Sequence, residues 1–116
     1  MSTRAFRKGA RGAAQSRGPN ASTFFTVHRA ALPALKRLLS GWLPEGQLEG
    51  DEWVSFNPRR TDRNLGSFKV NLRTGKWADF ATGDRGGDAI SLLAYLRGLS
   101  QADAARLLAQ ELRVRL

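Results

Sequence analysis

The most constraining feature of the sequence is a segment in which apolar and polar residues alternate, turn and alternate again. Residues 67–73 alternate, a turn at Thr74-Gly75 follows, and residues 76–81 alternate once more. Alternation with a period of two is typical of strands with one buried face, and glycine accepts the positive φ of a tight hairpin turn. The pattern predicts a β-hairpin with one apolar face and one basic face. Trp77 and Phe80 fall on opposite faces, so at least one is expected in the core.

A further strand is predicted just before this hairpin. Residues 53–56 are aromatic or β-branched, apart from one serine, and end at Asn57-Pro58. The segment 45–51 has the composition of an acidic polar connection, and 59–66 that of a surface loop. Three antiparallel strands are the simplest arrangement of these segments.

The C-terminal part of the chain predicts two adjacent helices. Asp88 follows the glycine-rich loop 83–87 and is suited to cap a helix that ends at Gly98. Ser100, with Asp103 three residues later, resembles a capping box and opens the second helix. Because the connection is short, both helices are expected on the same side of the sheet.

The N-terminal part predicts one helix. Apolar residues recur at helical spacing within 24–42, and Thr23 or Thr26 is a suitable cap. Pro33 removes an amide donor, so the pattern predicts either a kink or a helix whose first turn begins near Leu32. The predicted fold class is therefore α+β: a small three-stranded antiparallel sheet with an N-terminal helix and two C-terminal helices.

The composition divides the chain into three predicted parts. Residues 1–22 contain no acid and few large apolar groups, which predicts a disordered basic tail. Such a tail would either contact phosphates or only solubilise the protein. Residues 23–45 form the N-terminal helix and its connection, and residues 46–116 form the main domain. The basic residues of the tail are Arg4, Arg7, Lys8, Arg11 and Arg17.

Charge and cysteine content restrict the function. The 116 residues include 19 Lys and Arg against 10 Asp and Glu, a net charge of +9, which favours a polyanionic partner and nucleic acid first. There is no cysteine and only one histidine, His28, so neither a disulfide nor a structural zinc site is expected. Since no signal peptide and no apolar run of about 18 residues is recognisable, we expect a cytoplasmic protein without membrane contact.

No catalytic motif is recognisable. The glycine loop before the second-to-last helix does not match a phosphate-binding loop, because Asp84 and Asp88 place negative charge where a phosphate would sit. Together with Asp79, these carboxylates match no calcium loop. There is no nucleophile elbow with a plausible base. We therefore expect no enzyme activity and no cofactor.

Basic and aromatic residues interleave around the predicted hairpin, a pattern typical of surfaces that contact single strands through phosphate neutralisation and base stacking. The candidate nucleic-acid-binding residues are Arg59, Arg60, Arg63, Lys69, Arg73, Lys76, Trp77 and Arg85. Phe80 is a further stacking candidate, although hydrophobic packing is the simpler interpretation of either aromatic residue alone.

At these residues the sequence resembles the N-terminal zinc-ribbon domain of bacterial, phage and plasmid DNA primases, in a degenerate form without its metal ligands. The matching segments are Gly66-Ser67-Phe68-Lys69-Val70 and 86–92, followed by Gly98-Leu99-Ser100. The segment 77–84 also resembles a cysteine-free variant at the start of phage and plasmid primase and helicase proteins. The likeness covers about residues 53–112.

The family's zinc ligands, a Cys-Pro-x-His pair and a Cys-x-x-Cys pair, fall on Asn57, Arg60, Phe80 and Gly83. All four positions are replaced, so the resemblance implies a ribbon fold without zinc. The family's catalytic residues lie in a separate domain, so the resemblance implies contact with single-stranded template DNA and no polymerase activity.

The leading hypothesis is a non-catalytic DNA-replication module from a phage, plasmid or integrated element that binds single-stranded DNA. The alternative is an accessory or inhibitory protein of such an element, in which the same ribbon surface and the exposed parts of Trp42 and Trp53 meet a protein partner, such as a replication protein. The two differ in what they require of the surface. DNA binding needs an exposed basic face, whereas partner binding needs an open apolar patch.

Overall fold

A computed structural model describes residues 20–59 and 66–115. Its centre is a five-stranded antiparallel sheet in which strands that follow one another in the chain are also neighbours. The strands are β1 (Gln47–Glu49), β2 (Glu52–Ser55), β3 (Phe68–Asn71), β4 (Trp77–Asp79) and β5 (Arg85–Gly86).

Four α-helices occur in the described residues: α1 (Ala21–Ala31), α2 (Leu35–Trp42), α3 (Ala89–Arg97) and α4 (Gln101–Leu112). A 3-10 turn over Leu32–Ala34 joins α1 to α2. The C-terminal helices begin at the predicted caps. The Asp88 side chain accepts from the Ser91 amide, and that of Ser100 from the Asp103 amide. Gly98 ends α3 in the left-handed conformation.

The core lies between the helices and the inner face of the sheet. Trp53, Val70 and Trp77 are register partners on neighbouring strands and point inward together with Phe68. Two hydrogen bonds tie this face to the helical layer. The Trp53 indole donates to the Leu43 carbonyl at 3.0 Å, and the Trp77 indole donates to the Ser91 hydroxyl at 2.9 Å.

The prediction of a three-stranded sheet is wrong, because two short strands extend the sheet at its edges. β1 lies in the segment expected to be an acidic connection, and β5 lies in the segment expected to be a glycine loop. They are three and two residues long, and all three β1 residues are exposed. Backbone pairing with β2 and β4 defines both strands. Their sequences are too short for a pattern to predict them, since β1 contains one apolar residue, Leu48, and β5 contains none.

The prediction of a single N-terminal helix is also wrong. Pro33 lies in the 3-10 turn, and its missing amide divides the helical segment into α1 and α2. The cap of α1 is Asn20, whose Oδ1 accepts from the Thr23 amide at 2.9 Å, rather than Thr23 or Thr26. The helix therefore begins within the segment expected to be a disordered tail, of which residues 1–19 lie outside the described part.

None of the helices in the described ranges has the length and apolar character that a membrane crossing requires.

Candidate nucleic-acid interface

The outer face of the sheet carries a group of basic side chains. Lys69 of β3 pairs in register with Ala78 of β4, which in turn pairs with Arg85 of β5, so all three belong to one row across the sheet. Lys76 lies two residues before Ala78 and shares its face. We call Lys69, Lys76, Arg85 and the neighbouring Phe80 the basic face.

Phe80 is the exposed aromatic residue of the basic face. Its side chain is 71% exposed, and the Lys69 Nζ lies 5.8 Å from the centre of its ring. The Phe80 amide donates to the Ser67 carbonyl at 2.7 Å, which holds the residue beside β3 just beyond the end of β4. The ring is thus available at the protein surface, beside the ammonium group of the half-buried Lys69.

An open depression of about 300 Å³ lies on this face. Ala78 is the smallest side chain on the outer side of β4, between Lys76 and Phe80, and leaves room above the sheet. The residues that line the depression include Glu52, Lys69, Asn71, Lys76, Ala78 and Phe80.

The other half of the outer face is acidic. Glu49 of β1 is the register partner of Glu52 of β2, so both carboxylates belong to the same face as Lys69. Glu49 accepts a hydrogen bond from the Gln47 side chain at 3.1 Å. The outer face is therefore divided between an acidic half on β1 and β2 and a basic half on β3, β4 and β5, and phosphate would be attracted to the basic half alone.

Trp77 lies on the opposite side of the sheet. It is 5% exposed, and its ring stacks with that of Phe68 at 5.7 Å between centroids. The predicted stacking residue is thus part of the core, and Phe80 is the aromatic side chain on the surface. The expectation that at least one of the two would be buried is confirmed.

The other predicted contact residues are dispersed. Arg73 lies in the β3–β4 turn, where its guanidinium is 3.5 Å from Asp51 with both side chains exposed. Arg59 lies at the far end of β2, stacked on Tyr95 at 5.0 Å and donating to the Tyr95 carbonyl. Arg60 and Arg63 fall outside the described residues. The structure thus places Lys69 and Lys76 around one depression and separates them from Arg59. Arg85 shares their face by register but lines a different hollow, beside Ser91 and Tyr95.

A polar cluster closes the end of the sheet beneath Arg59. We give this name to Asn57 and Asp79, which are buried, with the half-buried Tyr95 and the exposed Asp84. The Asn57 amide donates to the Asp79 carboxylate at 2.7 Å and to the Tyr95 hydroxyl at 2.8 Å. The Tyr95 hydroxyl donates to Asp84 at 2.8 Å. Asp79 is fully buried and Asn57 is 3% exposed, so the hydrogen bond between them forms away from water, whereas the hydrogen bond from Tyr95 to Asp84 is exposed.

The environment of the Tyr95 hydroxyl changes its titration. Burial raises the pKa of this group above its ordinary value, the Asn57 amide opposes that rise, and the Asp84 carboxylate adds to it. The neutral hydroxyl is therefore the form that donates to Asp84.

The polar cluster occupies the region where the resemblance to primase ribbons would place metal ligands. Asn57 belongs to the cluster, but Phe80 points to solvent and Gly83 is an exposed turn residue with φ of 87°. Within residues 20–59 and 66–115, no group of three or more His, Cys, Asp or Glu side chains is arranged to hold a metal ion.

No protein-family model matches the chain, and a search of curated proteins finds no match. The resemblance to primase ribbons rests on the sequence motifs alone.

Proposed function

We propose that this protein is a non-catalytic module that binds single-stranded DNA through the basic face. The observation that carries the proposal is Phe80, an aromatic ring 71% exposed on a sheet surface and next to the Lys69 ammonium group. Aromatic side chains on a cationic sheet are the usual platform for unpaired bases, because every base has a π-face.

The charges around Phe80 fit the backbone of such a strand. Lys76 and Arg85 form no ion pair or hydrogen bond through their side chains within the described residues, so their charges are free for phosphate. Phosphate contacts by such residues supply affinity without sequence preference. A duplex would offer its phosphates but keep its bases stacked on one another, so the exposed ring favours single strands.

The proposed cellular role follows from the primase-like motifs. A ribbon module that contacts template strands would serve DNA replication of a phage, plasmid or integrated element, with priming chemistry supplied by another domain or protein. Such a role includes a cytoplasmic location, which fractionation of cells expressing the protein tests.

Fluorescence anisotropy with a short thymine strand and a matched duplex, across a salt series, tests the proposal. We expect the single strand to bind more tightly and affinity to fall with salt. Phe80→Ala should weaken single-strand binding by about 1–3 kcal/mol. Lys69→Ala and Lys76→Ala should each lower the slope of log affinity against log salt by about one or less.

The chain offers a matched control for each variant. Phe25 on α1 is 60% exposed and has Arg29 at 5.7 Å from its ring, much like Phe80 and Lys69, so Phe25→Ala removes a comparable surface pair elsewhere. Lys36→Ala on α2 is the charge control. Equal losses in Phe25→Ala and Phe80→Ala would refute the basic face as the binding surface. A chain beginning at Asn20 separates binding by the basic tail from binding by the sheet.

A second candidate function is that of an accessory or inhibitory protein that binds a replication protein of the same element. An apolar cleft of about 200 Å³, lined partly by Trp42, Leu43, Pro44 and Phe56, supports it. The Trp42 indole nitrogen is buried and has no hydrogen-bond partner among the described residues. Trp53 does not contribute, since it is 7% exposed. Peptides selected by phage display on the wild type, then retested on Trp42→Ala, examine this function: loss of binding in the variant supports it.

A further inference from the structure

We infer that the depression beside Phe80 binds one guanine base, an inference that rests on the proposed single-strand function and specifies which base the surface prefers. The chemistry of two side chains in the depression carries the inference. Glu52 of β2 and Asn71 of β3 are register partners that share the outer face and both line the depression. The Cβ atoms of such directly opposed residues lie about 4.5–5.5 Å apart, close enough for both side chains to contact one base edge.

Asn71 has only donor capacity left for a ligand. Its Oδ1 accepts from the amides of Arg73 at 2.9 Å and Thr74 at 3.0 Å, which fixes the orientation of the side-chain amide. Its Nδ2 therefore offers hydrogen atoms to the depression. Because the β3–β4 turn depends on the Oδ1 contacts, this orientation belongs to the fold and exists before a ligand binds.

Glu52 has only acceptor capacity. Among the described residues its carboxylate takes part in no hydrogen bond or ion pair, although Lys69 and Lys76 line the same depression. An ionised carboxylate accepts through two oxygens and would repel a phosphate group. A carboxylate without a protein partner at the boundary between the acidic and basic halves can accept from a ligand with hydrogen-bond donors, and a nucleobase edge supplies them.

Together, the Asn71 side-chain amide and the Glu52 carboxylate offer one donor group beside two acceptor oxygens. This arrangement matches guanine best. The Watson–Crick edge of guanine presents the O6 acceptor followed by two donors, N1–H and the N2 amino group. Asn71 would donate to O6, and the Glu52 carboxylate would accept from both donors. Thymine and uracil place an acceptor where guanine has its amino group, and cytosine and adenine place a ring nitrogen acceptor where guanine has N1–H. Unpaired bases expose this edge.

The test uses the full chain and fluorescently labelled nine-nucleotide thymine strands whose central base is thymine, guanine, inosine, adenine or cytosine. We expect the strand with one guanine to bind on the order of tenfold more tightly than all-thymine. Inosine, which lacks the N2 amino group, should fall between them. Equal affinity for guanine and thymine strands would overturn the inference.

Glu52→Gln should reduce the guanine preference to within about twofold while all strands bind at least as tightly as before, because a negative charge is removed. Glu49→Gln is the matched control, since Glu49 is the neighbouring carboxylate on the same face and does not line the depression. It should keep the preference. A preference that survives in Glu52→Gln would also overturn the inference.

Guanosine monophosphate and inosine monophosphate as competitors distinguish a base within a strand from a free nucleotide. If every strand binds equally and depends on Lys69 and Lys76, the single-strand function stands and the guanine site is refuted. Binding of guanosine monophosphate in preference to inosine monophosphate, without binding of any strand, would support the guanine site and refute the single-strand function. No binding of either kind of ligand refutes both.

Discussion

Trp77 and Phe80 lie three positions apart and have different structural roles. Trp77 points inward, stacks on Phe68 and donates to Ser91, whereas Phe80 points outward over Lys69. Alternation along a strand was enough to predict that their side chains would point to opposite faces of the sheet. It did not show which one would be exposed, because that depends on which face the helices cover, and both faces of this hairpin carry an aromatic residue.

The close packing of Trp77 makes Gly86 difficult to replace. A methyl group at Gly86 would overlap the Trp77 indole nitrogen and the Ser91 hydroxyl. We expect Gly86→Ala to lower the free energy of unfolding by about 1–3 kcal/mol, the usual cost of overpacking. Urea denaturation measures it. Gly87→Ala is the matched control, because a methyl group there has no atom within 4 Å; similar losses for both variants would contradict this account.

The Tyr95 hydroxyl predicts a dependence of stability on alkaline pH. Its folded-state pKa is raised, so its contribution is fully present below the unfolded pKa of about 10 and is lost as pH rises through the folded value. The free energy of unfolding should therefore fall above pH 10 more steeply in the wild type than in Tyr95→Phe. Urea denaturation at pH 8 and at pH 10.5 tests this, and parallel pH profiles would show that Tyr95 is not responsible.

At the scale of elements, the sequence determined the central hairpin and the C-terminal helices but not the sheet edges. The alternation in β3 and β4 and the caps at Asp88 and Ser100 are local features with clear physical causes. The edge strands β1 and β5 form by backbone pairing with a neighbour, and at three and two residues they are too short for a side-chain pattern to predict them. The arrangement of the candidate site could not be predicted from the sequence either, because the separation of Arg59 from Lys69 depends on strand length and register.

The polar cluster joins three elements by side-chain hydrogen bonds. Asn57 follows β2, Asp79 ends β4 and Tyr95 belongs to α3. Asn57→Ala should lower the free energy of unfolding by about 2–3 kcal/mol, because it removes hydrogen bonds to two groups, one of them a fully buried carboxylate. Gln110→Ala, an exposed amide on α4, should cost less than about 0.5 kcal/mol. If Asn57→Ala lowers the free energy of unfolding no more than Gln110→Ala does, the polar cluster contributes little to stability.

At the scale of the whole molecule, the described domain is organised by packing and hydrogen bonds. In metal-binding ribbons a structural zinc contributes on the order of 10 kcal/mol to folding. Here an apolar cluster lies between the sheet and the helices, with the polar cluster at its end. Of the four positions to which the resemblance assigns the family's zinc ligands, Asn57 belongs to the polar cluster, whereas Asp79 and Tyr95 come from outside those positions.

We therefore expect the thermal unfolding midpoint to be unchanged by excess chelator. Differential scanning fluorimetry of the full chain with and without EDTA, before and after dialysis against zinc, measures it. A midpoint that drops with EDTA and recovers with zinc would mean that folding depends on a metal ion. A known zinc-finger protein, which chelator unfolds, serves as the positive control.

The packing of α1 against α4 affects how the protein folds during translation. These are the first and last helices of the described chain, and the core between them cannot close until both have been synthesised. The contact spans nearly the whole described sequence, and contacts of long sequence separation slow folding. During translation the sheet would emerge with its inner face uncovered, so nascent chains that stop before α4 should be open to proteases and dependent on chaperones.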